Sequence, residues 1–247
     1  MLTRRNELTY LNQLNFKLIT INKKRVMKNL KLFTVILAGT FLMAACGGPS
    51  EKAAEISERL EPGERPENAV VKNIDMARST VAWEGTKVTG RHDGTIGLSS
   101  GELYIVDDQI VGGNIVIDMT QIVVLDIEDP GTNARLRGHL ESDDFFSVAT
   151  FPEATFEMAN IVKRENVAEG EPNYTISGNL TIKGITHGVT FPAHVHMENG
   201  AMTARADFDL DRTMWDVRFG SGRFFDNLGD NLIHDNFNMK LDIVAVN

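Results

Sequence analysis

His194 and His196 stand two residues apart, and Asp207, Asp209 and Asp211 repeat that spacing shortly afterwards. In an extended chain alternate side chains share a face, so each set projects from one side of a strand. Imidazoles so placed, with His187 near in sequence, can ligate zinc. A row of carboxylates can hold calcium weakly, although calcium takes about six to eight oxygens wrapped around it. Neither set supplies a full ligand shell, and no metal site is assigned. Both read better as solvated outer faces. A metal-dependent enzyme or metal-binding barrel built on His194, His196 and the aspartate row is the alternative reading. Gly97-Leu98-Ser99-Ser100-Gly101 fits the pattern of a hydrolase nucleophile. That motif needs a strand-to-helix elbow in a parallel sheet. Here no helix follows, so no catalytic residue is assigned and the chain is read as a non-enzyme.

The elements that carry these residues are strands. Val189, Phe191, Ala193, Val195 and Met197 alternate with Thr190, His194 and His196, and Ala204, Ala206, Phe208 and Leu210 alternate with Arg205, Asp207 and Asp209. This period of two marks a half-buried strand. Ile115, Ile117 and Met119 form a similar stripe, as do Met239, Leu241, Ile243 and Ala245. Tyr174, Ile176, Leu180 and Ile182 share a face, with Gly178 placed where a close approach or a bend is expected. Asn199-Gly200 predicts a tight hairpin, since both residues tolerate positive φ, and Asp107-Asp108 predicts another. Thr132–Glu141, with Leu136 and Leu140 one turn apart, is the one helical stretch. Eight or nine antiparallel strands must close into a barrel or stack as a sandwich, and closure removes exposed edges. An eight-stranded barrel is just wide enough to be filled by side chains or to hold one small ligand. The inward faces here are aliphatic and aromatic, so the cargo should be apolar.

Cys46 is the chain's one cysteine and directly follows a 14-residue apolar run, Leu32 to Ala45, which a basic stretch precedes. Basic head, apolar middle and small residues before a cut site form a secretory signal. The run falls short of the roughly 20 residues that span a bilayer. Ala44-Ala45-Cys46 resembles a bacterial lipoprotein lipobox, in which the cysteine is acylated and becomes the first mature residue. A signal peptide starting at Met27 is complete by itself, so residues 1–26 read as an extension produced by a misplaced start and residues 27–45 as the signal. Removing residues 1–45 takes away eight basic residues and one acidic one, leaving 17 Lys and Arg against 33 Asp and Glu, a net charge of −16. So acidic a body argues against nucleic acid as a partner. Residues 46–72 are rich in Glu, Pro and Gly and read as an acylated cysteine on a flexible linker, with one helical turn near Ala53–Leu60. Residues 73–247 read as one domain.

Arg135-Leu136-Arg137-Gly138-His139-Leu140-Glu141-Ser142-Asp143-Asp144-Phe145-Phe146, followed by Phe151-Pro152-Glu153-Ala154-Thr155-Phe156, resembles the YceI-like family of periplasmic polyisoprenoid-binding proteins. Gly178-Asn179-Leu180-Thr181-Ile182-Lys183-Gly184-Ile185-Thr186 is similar to the family's central strand and turn. Asp211-Arg212-Thr213-Met214-Trp215-Asp216-Val217 resembles a late segment of it. One departure is Ala77–Val81, where members often carry a histidine. The resemblance implies an all-β, eight-stranded, lipocalin-like antiparallel barrel with one short helix, whose pore holds an isoprenoid chain without catalysis or any cofactor beyond that lipid. The pore walls are assigned to Ile115, Ile117, Phe156, Met158, Ile176, Leu180, Ile182, Phe191, Val195, Phe208, Leu210, Leu241 and Ile243. Arg212, Trp215, Arg218 and Arg223 are candidates to meet an anionic or quinone head group, against the plainer reading that these arginines pair with neighbouring aspartates. The expected setting is the envelope of a Gram-negative bacterium, with the protein anchored through Cys46 to the outer membrane and facing the periplasm. A homodimer is left open.

Overall fold

Alternating side chains become a barrel because every strand must bury one face and pair both edges. The computed structural model describes residues 52–247; Cys46 and the signal-like segment lie outside them. Ten strands are formed: Glu55–Ser57 (β1), Val70–Ile74 (β2), Thr80–Lys87 (β3), Gly90–Val106 (β4), Gln109–Val124 (β5), Glu153–Lys163 (β6), Tyr174–Ile182 (β7), Ile185–Glu198 (β8), Ala201–Asp211 (β9) and Ile233–Val246 (β10). From β3 to β10 each strand pairs antiparallel with the next. β10 then closes on β3, with Met239 opposite Trp83 and Leu241 opposite Val81. The expected eight-stranded antiparallel barrel is therefore formed, and the sandwich is not.

Tight turns join the strands. Asp107 and Asp108 have φ of 49° and 60°, Asn199 and Gly200 of 51° and 79°, and Lys183 and Gly184 of 50° and 71°. Paired positive φ matches the twist of the strands they join. Between β5 and β6 the chain leaves the wall as a helix, α1, over Pro130–Glu141, two residues earlier than the hydrophobic pattern starts it. Asp129 caps it by accepting the Thr132 N–H at 2.8 Å. Pro130 has no N–H to leave unpaired in the first turn.

The barrel has two unlike ends. At one, carrying the β4–β5 and β8–β9 hairpins, Lys72 is only 6% exposed, and its ammonium donates to the Gly200 carbonyl at 2.6 Å and to Asn247 Oδ1. Leu103, Met202, Tyr174 and Ala245 fill that end. At the other end, α1 and the β9–β10 connection form a cap. In the middle Phe191 stacks on Phe208 at 4.2 Å with an interplanar angle of 12°, and Phe156 tilts against Phe191 at 5.7 Å.

Residues 52–72, expected as tether with a helical turn, are instead a strap bound to the wall. β8 pairs with β9 only over 194–198. β1 enters the gap beyond, pairing with Gly188–Thr190 of β8. Ala54 N–H donates to the Asp209 carbonyl at 2.9 Å. Further on, Asn179 holds both the N–H and the carbonyl of Leu60, at 2.8 and 2.9 Å. Gly63 N–H donates to Met158 at 3.3 Å. β2 then pairs with β4 and β10. A glycine at 188 lets the strap lie this close, because a Cβ there would stand 2.4 Å from Ser57 Oγ.

Candidate ligand-binding site

The cap is built from two of the motifs. At the end of α1, Ser142 Oγ donates to the His139 carbonyl at 2.7 Å, and Ser147 adopts φ of 48°. This turn reverses the chain and puts Phe145 and Phe146 over the barrel end. His139 packs edge-on against Phe145 and Phe219, at 4.9 and 4.6 Å, with Nε2 3.1 Å from Asp144 Oδ2. The second motif follows β9. Asp211 accepts the Thr213 N–H at 2.9 Å and starts a single 3-10 turn, Arg212–Trp215. Trp215 is fully buried and its indole N–H donates to the Leu180 carbonyl at 3.1 Å.

Beneath this cap lies a cavity of about 140 Å³. Its walls are almost wholly apolar: Trp83, Ile96, Ile117, Met119, Ile122, Leu180, Ile182, Leu210, Phe237 and Met239, with Leu140, Phe145 and Phe146 from the cap. Elsewhere in the interior a void of about 30 Å³ is walled by Ile115, Phe156, Met158, Ile176, Phe191, Leu241 and Ile243 among others. Phe191 borders only the smaller of these two spaces, and its stacking partner Phe208 borders neither. Phe208 pairs across the sheet with Met239 of the cavity wall, and Phe191 lines the smaller void.

The thirteen pore candidates therefore face inward but divide. Ile117, Leu180, Ile182 and Leu210 line the cavity; Ile115, Phe156, Met158, Ile176, Phe191, Leu241 and Ile243 line the small void. Val195 and Phe208 are buried core. Trp83, Met119, Ile122, Phe237 and Met239 line the cavity and were not among the candidates. Trp83, Met119, Phe237 and Met239 continue period-two stripes, Val81-Trp83-Gly85 for example, whereas Ile122 follows Met119 by three residues across an irregularity of the β4–β5 pairing.

Of the head-group candidates Arg212 borders the cavity, as does His234, but all three arginines are engaged by other partners. Arg212 is 5% exposed. It donates to the carbonyls of His234, Val217 and Ile233 at 3.1, 2.8 and 3.1 Å, with Asp235 at 3.7 Å. Burial pushes its guanidinium below the ordinary arginine value, against the pull of Asp235 and Asp211. Arg218 pairs with Asp216 at 2.6 Å and lies over the Phe224 ring, while Arg223 pairs with Asp211 at 3.0 Å. The plainer reading, arginine paired with a neighbouring aspartate, describes Arg218 and Arg223, whereas Arg212 is held chiefly by backbone carbonyls. Trp215 does not line the cavity.

The metal alternative fares similarly on position. His194 and His196 are exposed on β8, and His187 instead lies 3.0 Å from the Met214 carbonyl and edge-on to Trp215. Asp207 takes Lys52 at 2.7 Å and Asn238 at 2.8 Å. Burial would raise the Asp207 carboxyl, but those donors outweigh it and hold it below the usual range. Asn238 also bonds Asp209, and Arg223 takes Asp211. Ser99 is an exposed residue at an irregularity of β4.

A closed antiparallel barrel around an apolar, capped cavity defines a lipocalin-like binding barrel. Its family follows from the sequence: the model of the YceI-like domain matches residues 73–245, and the chain belongs to that family. The UPF0312 protein YE1254 of Yersinia enterocolitica is 42% identical over 69 residues, 28% of this chain and 33% of its own length. The chain thus spans about a third of the curated relatives it matches. Among solved structures, BcnA of Burkholderia cenocepacia superposes with a TM-score of 0.55 at 23% identity, over 70% of this chain and 99% of that one. A polyisoprenoid binding domain from Saccharophagus degradans, implicated in plant cell wall breakdown, gives 0.51 at 12% identity, over 71% and 97%. At these identities the likeness is one of fold.

Proposed function

We propose that the barrel binds the chain of an isoprenoid, or a similar amphiphilic lipid, through its apolar cavity, and that the protein sequesters or carries this lipid in the cell envelope without catalysing a reaction on it. The cavity carries this reading, because its walls offer contact to hydrocarbon and almost no hydrogen bonds. Family membership supports it, as does the ligand class of the Saccharophagus relative. An acylated Cys46, in the outer membrane and facing the periplasm, is the anchor we assign.

Size sharpens the reading. An apolar cavity of about 150 Å³ holds one benzene, so about 140 Å³ takes roughly one five-carbon isoprene unit. Each buried methylene contributes about 0.8 kcal/mol, hence up to about 4 kcal/mol per unit before ordering costs. A longer chain enters only if the Phe191–Phe208 stack moves or if part of it stays outside. The paired arginines of the cap make an anionic head group costly, since it must displace Asp216 or Asp211. Native mass spectrometry of the purified protein, with lipid analysis of its organic extract, tests the proposal. A protein that is empty and takes up neither polyprenyl nor quinone lipids sinks it.

A further inference from the structure

On the outer face of the barrel, beside the cap, lies a polar groove of about 560 Å³. Three neighbouring strands supply its floor, where Asn238 of β10 stands opposite Glu84 of β3 and Asp209 of β9. Thr86, Asp235 and Asn236 continue it, and Arg223 reaches it from the β9–β10 connection. The groove shares a wall with the apolar cavity, since Ile233 and His234 border both. The strand ladder is irregular at that point. Between the pairs Ile233–Lys87 and Phe237–Gly85, β10 advances by four residues and β3 by two. Such a bulge leaves residues outside the ladder. Arg212 takes the carbonyls of Ile233 and His234 from within, and His234 Nδ1 lies 2.8 Å from Thr86 Oγ1 on β3. Side chains, and not ladder bonds, hold the wall together here.

We propose that an amphiphile crosses the wall at this bulge, its chain in the cavity and its head group in the groove, and that the head group is an uncharged hydrogen-bond donor, an alcohol. This rests on the lipid reading of the cavity and adds the place and chemistry of the polar end. Apolar sites commonly fix orientation through a few polar groups of this kind. The chemistry follows from what the groove leaves open. Its cations are paired: Arg223 with Asp211 at 3.0 Å, Arg91 with Glu84 at 3.1 Å and Lys52 with Asp207 at 2.7 Å. The Asn238 amide donates to Asp207 and Asp209. Acceptors remain in surplus, with the carboxylates of Glu84, Asp209 and Asp235 all lining the groove. Among the described residues, Asp235 Oδ1 is a buried side-chain oxygen without a hydrogen bond, and Arg212 stands 3.7 Å from it. A hydroxyl can donate to a carboxylate. A phosphate would meet these carboxylates as like charges, and an ether or quinone oxygen has no proton to give.

The test titrates the full chain calorimetrically with geraniol, geranyl methyl ether and geranyl phosphate. All three carry two isoprene units, one to fill the cavity and one to cross the bulge. Geraniol should bind about three- to tenfold more tightly than the ether, the worth of one net hydrogen bond, although the ether is the more apolar. The phosphate should bind most weakly. Glu84 and Asn236 line the groove and not the cavity. Glu84→Leu, which removes an acceptor, and Asn236→Trp, which fills the groove, should each narrow the gap between geraniol and the ether. Equal affinities in the unmodified protein, or a gap that both variants leave intact, overturn the head-group site while the cavity reading stands. Binding of none of the three overturns both.

Discussion

Phe191→Ala tests whether the aromatic stack sets the depth of the pore. The ring is 5% exposed and stacks on Phe208 at 4.2 Å. Removing a buried phenylalanine costs about 3–5 kcal/mol, and at about 2–4 °C per kcal/mol for a domain of this size the empty variant should melt roughly 6–20 °C lower. The space freed joins the void of about 30 Å³, which Phe191 lines, and should extend the pore beyond the cavity of about 140 Å³. One further isoprene unit filling it would return up to about 4 kcal/mol, so the loaded variant should approach wild-type stability. The assay is thermal unfolding with prenyl alcohols of one, two, three and four units at equal concentration. Wild type should gain little beyond the first units, because each later one meets the stack, whereas the variant should go on gaining for at least one unit more. Identical chain-length profiles in the two proteins would refute the reasoning, and so would a variant that melts as wild type does.

Arg212→Lys should cost about 3–5 kcal/mol, because an ammonium cannot serve the three carbonyls that the planar fork reaches, and Asp235 loses its partner; denaturant titration reads this, and unchanged stability would return Arg212 to the head-group candidates. Gly188→Ala places a Cβ 2.4 Å from Ser57 Oγ and 2.6 Å from the Glu58 carbonyl, both on the strap. It should cost about 1–3 kcal/mol and speed hydrogen exchange at Ala54 and Leu60, whose amides are bonded to the wall, while leaving those of β5 unchanged. Hydrogen bonds from the Thr120 and Gln121 side chains hold the Asp118 carboxyl below its usual range. A depressed folded value stabilises above the unfolded value of about 3.9 and is lost as pH falls through the folded one. Asp118→Asn should therefore lower the urea midpoint at pH 7 and lower it less at pH 3; an equal loss at both would remove the linkage.

The barrel was legible because burial imposes a period of two on every strand, and β8 and β9 show that alternation in almost every residue. The hairpins were legible because Asp107-Asp108 and Asn199-Gly200 carry the residue types that positive φ demands. The cavity was less so. Periodicity says that Phe191, Phe208 and Leu180 all point inward, but not that the first two stack on each other while the third faces empty space. That depends on ring volumes summed across strands far apart in sequence. Arg212 misled for a related reason: a charged residue beside aromatics suggests an exposed contact, yet its partners are backbone carbonyls, which carry no sequence signature. The strap was hidden in the same way. Glu55–Ser57 shows no apolar alternation because it is held by main-chain bonds in a gap between two strands and by the amide of Asn179.

That strap changes how anchor and barrel can work together. A free linker of about 25 residues would span about 25–30 Å on average, enough for a mouth to swing between the bilayer and solution. With residues 52–74 held along the wall, swinging through that distance would first require peeling off β1. Peeling would expose unpaired edges of β8 and β9 and release Asn179 from Leu60, at a net cost of about 0.5–1.5 kcal/mol for each hydrogen bond lost. Several such bonds make release rare at rest. Under the anchor we propose at Cys46, the bound strap therefore shortens the reach of the barrel. A Gly/Ser segment inserted after Ser50 tests whether anchor and barrel act independently. If the proposed anchor at Cys46 acts only as a tether, lipid binding by the barrel should stay unchanged as the insert grows, while Cys46→Ser releases the protein from membranes; binding that falls with insert length would couple the anchor to the barrel.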